Sequence, residues 1–252
     1  MKKKLEICCY TVESAIMAEK AGADRIELCE NYSEGGTTPS YGSIKTTIEK
    51  LNIPVNVIIR PRGGDFLYSD TEFEIIKQDV KTVKQLGANG VVIGFLNSDG
   101  AIDIEKTKEI IGLAKPMKIT FHRAFDRCKN PFVALEQLID LKIDRILTSG
   151  QKHKAFDGIN LISQLVKQAG NNLIIMLGSG VNDKNISELI EKTHATEFHS
   201  SAKIFLSSKM NYMEKDISMG NNDVKENSIV SVDADMIKNI KRALEFNLTL
   251  DN

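Results

Sequence analysis

Strand-like apolar segments and helix-like segments alternate eight times along the 252 residues of this chain. Each apolar segment is rich in Ile, Val and Leu and is followed by a stretch with helical periodicity and a polar turn. The predicted strands are 4–9, 24–29, 54–60, 90–95, 117–122, 144–148, 172–177 and 195–199. The predicted helices are 12–21, 41–51, 71–86, 103–114, 131–141, 158–168, 182–192 and 233–246. Eight such units in about 250 residues predict an α/β protein with a TIM (β/α)8 barrel.

The rival α/β architecture, a doubly wound sheet, predicts a glycine fingerprint after the first strand. Here the first strand continues into Tyr10 and Thr11 without a glycine. We therefore expect one barrel domain over residues 1–252. The segment of about 203–232 has no clear period, and we expect it to be a long loop after strand eight, over the mouth of the barrel.

Composition excludes several classes of protein. A net charge of −1 gives no electrostatic case for binding nucleic acid or an anionic membrane surface. No run of 18 apolar residues is present, so we expect no membrane span. Four cysteines in a chain of this length do not suggest a disulfide scaffold, and no apolar signal core follows the N-terminal lysines. A reducing cytoplasm is the expected location.

The first two strands repeat one pattern, with a glutamate and a cysteine two residues apart. Glu6 and Cys8 share one face of the first strand, and Glu27 and Cys29 share one face of the second. The opposite faces are apolar and suit packing against helices. Because burying unpaired carboxylates is costly, fold stability alone does not explain these residues. They predict the floor of a site at the carboxyl ends of the strands.

The two glutamates lie on neighbouring strands, and a close pair of carboxylates can act as general acid and general base. The alternative is an ion pair between Glu27 and Arg60 on the next strand. The two interpretations are compatible. His122 and His199 follow two other strands and could each shuttle protons, bind a metal, or be satisfied structural residues.

The two thiols also lie on neighbouring strands, which are about 4.8 Å apart. If the register matches, Cys8 and Cys29 fall within bridging distance. Two thiolates favour Cu(I) or another soft ion. The alternative is a pair of small buried side chains, since free cysteine is often buried and inert.

Anion binding is a further possibility, because glycine and hydroxyl residues follow strands seven and eight, where barrels commonly bind phosphate. Arginines after other strands could add bidentate donors. The residues predicted to bind a small anionic metabolite are Arg60, Arg62, Arg123, Ser149, Gly178, Ser179, Gly180, His199, Ser200 and Ser201.

Taken together, these strand ends resemble the CutC family, which is described as copper homeostasis proteins. The shared motifs are L-E-I-C-C-Y at 5–10, G-A-D-R-I-E-L-C at 22–29, E-G-G-T-T-P-S at 34–40, I-I-R-P-R-G-G-D-F at 58–66, T-F-H-R-A-F-D at 120–126, L-T-S-G-Q at 147–151 and F-H-S-S-A at 198–202. The resemblance implies a cytoplasmic (β/α)8 barrel. It also implies Cu(I) binding through Cys8 and Cys29, with no other cofactor.

Two hypotheses follow. The first is a copper-handling protein that binds Cu(I) at the two thiols. The second is a barrel enzyme acting on a small phosphorylated, carboxylated or sugar-like metabolite, with Glu6, Glu27, His122 and Asp126 as catalytic groups. A homodimer is compatible with either hypothesis, and a partner protein or nucleic acid is not required.

Overall fold

Eight parallel strands close into a barrel in the order in which they occur in the chain, in a computed structural model that describes residues 3–212 and 227–246. The strands are β1 (Lys4–Cys9), β2 (Arg25–Leu28), β3 (Val55–Ile58), β4 (Gly90–Ile93), β5 (Lys118–Phe121), β6 (Arg145–Thr148), β7 (Ile174–Leu177) and β8 (Glu197–Ser200). β1 pairs with both β2 and β8, so the first and last strands close the barrel. The predicted TIM barrel is confirmed.

Helices alternate with the strands around the outside of the barrel. They are α1 (Val12–Lys20), α2 (Tyr41–Lys50), α3 (Asp70–Gln85), α4 (Ile104–Ala114), α5 (Pro131–Asp140), α6 (Ile159–Ala169), α7 (Ile186–Thr193) and α8 (Ala234–Phe246). In the described ranges, no helix has the length and apolar character needed to cross a membrane.

Local side-chain bonds explain where the helices begin. The Ser69 hydroxyl accepts a hydrogen bond from the Glu72 backbone N–H, and the Glu72 carboxylate accepts one from the Ser69 N–H, which makes a capping box for α3. α7 begins four residues later than predicted. The Asn182 side chain accepts from the Lys184 N–H at 2.9 Å, and this turn delays the helix.

Side chains on the two faces of the strands pack in two separate places. The outward side chains Leu5, Ile7, Ile26 and Leu28 are at most 1% exposed and pack in the main core between the barrel and its helices, as the alternation predicts. A separate small cluster inside the barrel contains Cys8, Cys29, Ile58 and Val92.

The register between β1 and β2 decides which inward side chains meet. Glu6 pairs with Arg25, and Cys8 pairs with Glu27. Glu6 and Glu27 are therefore not register partners. They contact opposite nitrogens of the His199 ring, at 2.8 and 3.5 Å, so an imidazole lies between the two carboxyl groups that the sequence suggests as a close acid–base pair.

The segment after β8 is not an irregular loop at its two ends. β9 (Lys203–Ser207) and β10 (Ser228–Val232) form an antiparallel pair. The expectation of a long loop over about 203–232 is wrong in these two stretches, whose β-branched and aromatic residues suit a pleated ladder. Residues 213–226 of the expected loop lie outside the described residues. Phe205 packs edge-on against Tyr32, with ring centroids 5.6 Å apart, beside the opening of the barrel.

Candidate functional site

A cavity of about 690 Å³ opens at the carboxyl ends of the barrel strands. Most of the predicted site residues line it. They are Cys8, Glu27, Cys29, Arg60, His122, Arg123, Asp126, Ser179, Gly180, His199 and Ser201. These residues come from six of the eight strand ends, and Gln151 after β6 adds a seventh, so the polar strand ends meet in one space as predicted.

Two predicted residues do not line this cavity, because their charges are satisfied elsewhere. Glu6 is 1% exposed, lies below the floor and pairs with Arg25. Arg62 points away from the cavity and donates to the carboxylates of Glu72 and Asp65, at 2.5 and 3.0 Å. Neither can contact a substrate in the cavity directly, contrary to their predicted catalytic and anion-binding roles.

Three small residues predicted to bind an anion are also buried away from the cavity. The Ser149 N–H and hydroxyl donate to Asp126. The Ser200 hydroxyl donates to the Val181 carbonyl at 2.6 Å. Gly178 is buried, and a Cβ there would lie 2.5 Å from Leu147 Cδ1, so the glycine packs closely against that side chain.

The predicted phosphate position differs from the expectation. Ser179 and Gly180 line the cavity, but the next helix, α7, begins only at Ile186. After β8 the chain continues into β9 and not into a helix. The predicted anion site depended on the N–H groups at the start of a helix. No helix begins directly after β7 or β8, so these N–H groups are not available there.

The two thiols meet as the sequence predicts. The sulfurs of Cys8 and Cys29 lie 3.6 Å apart in the floor of the cavity. The hydrogen bond from Cys29 lowers the pKa of the Cys8 thiol to about 5, against the effect of burial. Burial and the neighbouring Cys8 raise the pKa of Cys29 well above its usual value. These opposite shifts favour the thiolate form at Cys8 over that at Cys29.

His199 lies beside this pair on β8. Its Nδ1 lies 2.8 Å from Glu6 Oε1, and its Nε2 lies 3.5 Å from Glu27 Oε2. Ligand atoms of Cys8, Glu27 and His199 all lie within 4.8 Å of one another. We call Cys8, Cys29, Glu27 and His199 the thiol–histidine group. The ligand atoms of this group could bind one metal ion.

The charges around His199 set its protonation. Burial would lower the pKa of His199, but hydrogen bonds to Cys8 and Glu6 and the negative charge of Glu6 raise it well above its usual value. Burial raises the pKa of Glu27 to about 8, so this carboxyl stays protonated near neutral pH. The thiol–histidine group is thus an imidazolium and a thiolate beside a neutral acid.

A charged layer that the sequence analysis missed supports this group from below. Arg25 donates to Glu6 and, at 2.6 Å, to Glu197, and Arg145 Nε donates to Glu197 at 3.0 Å. The charge of Arg25 lowers the pKa of Glu6 far below its usual value despite complete burial. Two cations and two anions therefore balance inside the barrel. The inward period of each strand could have indicated Arg25 and Arg145, since both share a face with predicted site residues.

Arg60 and His122 also line the cavity, and both pack against Phe66. The Arg60 guanidinium lies 5.2 Å from the Phe66 ring centroid, and the His122 ring centroid lies 4.9 Å from it. Arg60 donates to the carbonyl oxygens of Glu34, Gly36 and Gly64, which secures the loops after β2 and β3. The alternative ion pair between Arg60 and Glu27 is not among the ion pairs of the described residues.

Asp126 holds the loop after β6. Its two oxygens accept hydrogen bonds from the Thr148 hydroxyl, the Ser149 and Gln151 backbone N–H groups, and Arg123 Nε at 2.7 Å. With its lone pairs occupied in this way, Asp126 positions Arg123 and the loop, and the geometry does not favour a role as general base.

Comparison with known proteins gives one consistent family. The model of the CutC family matches residues 3–204. A family protein CutC of Pectobacterium atrosepticum is 49% identical over 242 residues, which cover 96% of this chain and 95% of that protein. A human protein named copper homeostasis protein cutC homolog is 46% identical over 216 residues, covering 86% of this chain and 79% of that protein. A crystal structure of CutC from Streptococcus agalactiae has a TM-score of 0.76 at 33% identity and covers 79% of this chain and 98% of that one.

Proposed function

Because the chain belongs to the CutC family, we propose that it serves copper homeostasis by binding Cu(I) at the thiols of Cys8 and Cys29. The observation that carries this proposal is the 3.6 Å distance between the two sulfurs at the floor of an open cavity. The human relative carries copper homeostasis in its name. A reducing cytoplasm, where both thiols stay available, is the compartment that suits this role.

The donor atoms fit a soft ion. A zinc–sulfur bond is about 2.3 Å long, so two sulfurs bound to one such ion lie at most about 4.6 Å apart. The sulfurs of Cys8 and Cys29 are 3.6 Å apart, so one ion can bind both. Thiolates favour soft and borderline metals, with Cu(I) and zinc the two common single ions among them. The His199 imidazole and the Glu27 carboxyl are also compatible with zinc, so competition between the two ions belongs in the test.

Ion binding at this place would displace protons. Cys8 already carries the negative charge that a metal requires, whereas Cys29 and His199 still hold protons. Binding through Cys29 therefore releases its proton, and binding through His199 Nε2 releases another. Glu6 accepts from Nδ1 and keeps Nε2 directed toward the sulfurs.

The test is an anaerobic Cu(I) titration in competition with a chromogenic chelator, repeated in the presence of Zn(II). Cys8→Ser and Cys29→Ser should each lose tight Cu(I) binding. Cys9→Ala is the matched control, because Cys9 is equally buried but packs in the core between barrel and helices. Tight binding that survives both serine variants, or that Zn(II) abolishes, would contradict the proposal.

A further inference from the structure

Arg60 carries a buried charge without an acidic partner. It is 6% exposed, and no carboxylate of the described residues lies within ion-pair distance of it. Its terminal nitrogens donate to three backbone carbonyls, while its Nε has no hydrogen-bond partner there. A buried cation that lacks an anion is costly, so an anion beside Arg60 would be stabilising.

The second hydrogen-bond donor without an acceptor belongs to His122. The Ala124 N–H donates to His122 Nδ1 at 3.1 Å, so the ring proton is on Nε2. Nε2 is buried and has no partner among the described residues. Burial and the charge of Arg60 lower the pKa of His122 to about 3, so the ring remains a neutral donor. Both unpartnered donors therefore belong to residues that line one cavity and pack on Phe66.

The cavity is far larger than an ion requires. Its volume of about 690 Å³ lies within the range of about 300–1,000 Å³ that is usual for small-molecule sites. Hydroxyl and amide groups of Tyr10, Ser33, Gln151 and Ser201 line it. Such a lining suits a polar organic molecule with several hydroxyl groups.

We propose that this cavity binds a small hydroxylated organic acid whose carboxylate accepts hydrogen bonds from His122 Nε2 and Arg60 Nε. Two donors and one positive charge match the two oxygens and single charge of a carboxylate. A phosphate monoester would present three terminal oxygens to these two unpartnered donors. This site goes beyond the proposed copper binding and does not depend on it, since it uses none of the thiol–histidine group.

Isothermal titration of the full-length, metal-free protein tests this site, with gluconate as the probe. Sorbitol is the matched neutral compound, and glucose 6-phosphate is the matched phosphate. Gluconate should bind saturably, and both other compounds should bind at least about tenfold more weakly. His122→Phe keeps a ring against Phe66 but removes the donor, so gluconate should bind about tenfold more weakly. His153→Phe, the same change at an exposed histidine of the rim, should leave the affinity unchanged.

A measurement on the wild-type protein tests the site even if the His122→Phe variant does not fold. In protein labelled with ¹⁵N-histidine, the His122 Nε2–H resonance should shift when gluconate is added. Cys29→Ser should still bind gluconate, which separates this site from copper binding. Absence of saturable gluconate binding, an unshifted His122 resonance, or tighter binding of glucose 6-phosphate would each overturn the proposal.

Discussion

His199 Nδ1 lies 2.8 Å from Glu6 Oε1, although 193 residues separate the two in sequence. β1 and β8 are neighbours in the closed barrel and bring the two side chains level with each other. Glu6 also accepts from Arg25, so its position is fixed from two sides. A carboxylate behind an imidazole fixes the ring orientation and makes the other nitrogen a better ligand.

Replacing Glu6 should therefore weaken metal binding without touching a sulfur. In Glu6→Gln we expect the Cu(I) affinity to fall by about 10- to 100-fold, which is the usual effect of losing such a partner. The chelator competition used for the cysteine variants measures this change. Glu197→Gln is the matched control, because Glu197 pairs with the same Arg25. Among the described residues, His199 pairs with Glu6 and Glu27 and not with Glu197. Equal losses in both variants would mean that the charged layer, rather than the orientation of His199, determines affinity.

The buried neutral His122 should make stability depend on pH. Its pKa is about 3 in the folded protein and 6.5 when exposed, so the unfolded chain takes up a proton that the folded protein does not. This contribution is present above pH 6.5 and is lost as the pH falls toward 3, by at most about 1.4 kcal/mol per pH unit. Urea unfolding of wild type and His122→Phe should give a free-energy difference that shrinks between neutral pH and about 5. A constant difference would show that His122 is protonated in the folded state.

Gly94, directly after β4, makes room for the His122 ring. A Cβ at this position would lie 2.5 Å from His122 Nδ1 and 2.8 Å from Ala124 Cβ. Gly94→Ala should cost about 1–3 kcal/mol in the free energy of unfolding. Gly112→Ala is the control, since nothing lies within 4 Å of that Cβ in α4, and it should stabilise by about 1 kcal/mol. Denaturant titration distinguishes the two, and similar effects would contradict the crowding at Gly94.

Hydrophobic periodicity was sufficient to predict the barrel and its elements. Strands such as β1 contain apolar residues at every second position, because these side chains pack against helices. This pattern can be recognised from neighbouring residues alone, without knowing the rest of the fold. The start of α7 was misplaced because the turn at Asn182 depends on two asparagine side chains that periodicity does not describe. The strands β9 and β10 were missed because each has only five residues, and β9 is mostly exposed and lacks a buried apolar face.

The site was predicted less completely, because it depends on register. Sequence placed Glu6 and Glu27 on neighbouring strands but could not show that Glu27 is level with Cys8 and Glu6 with Arg25. Arg25 shares the inward face of β2 with Glu27, but the sequence does not show that Arg25 meets Glu6 and Glu197 until the barrel is closed. The proximity of Cys8 and Cys29 on adjacent strands was correctly expected, although the matching register that the expectation assumed does not hold, since Cys8 pairs with Glu27.

The closure of β1 on β8 has a consequence during translation. Cys8 and Cys29 leave the ribosome early, whereas His199 is made some 170 residues after Cys29. Until β8 is inserted, the nascent chain offers two thiols without the imidazole and without the Glu6 contact that orients it. Any ion selectivity that His199 provides is therefore acquired only when synthesis of the barrel is complete, and a prematurely terminated chain would expose a bare dithiol.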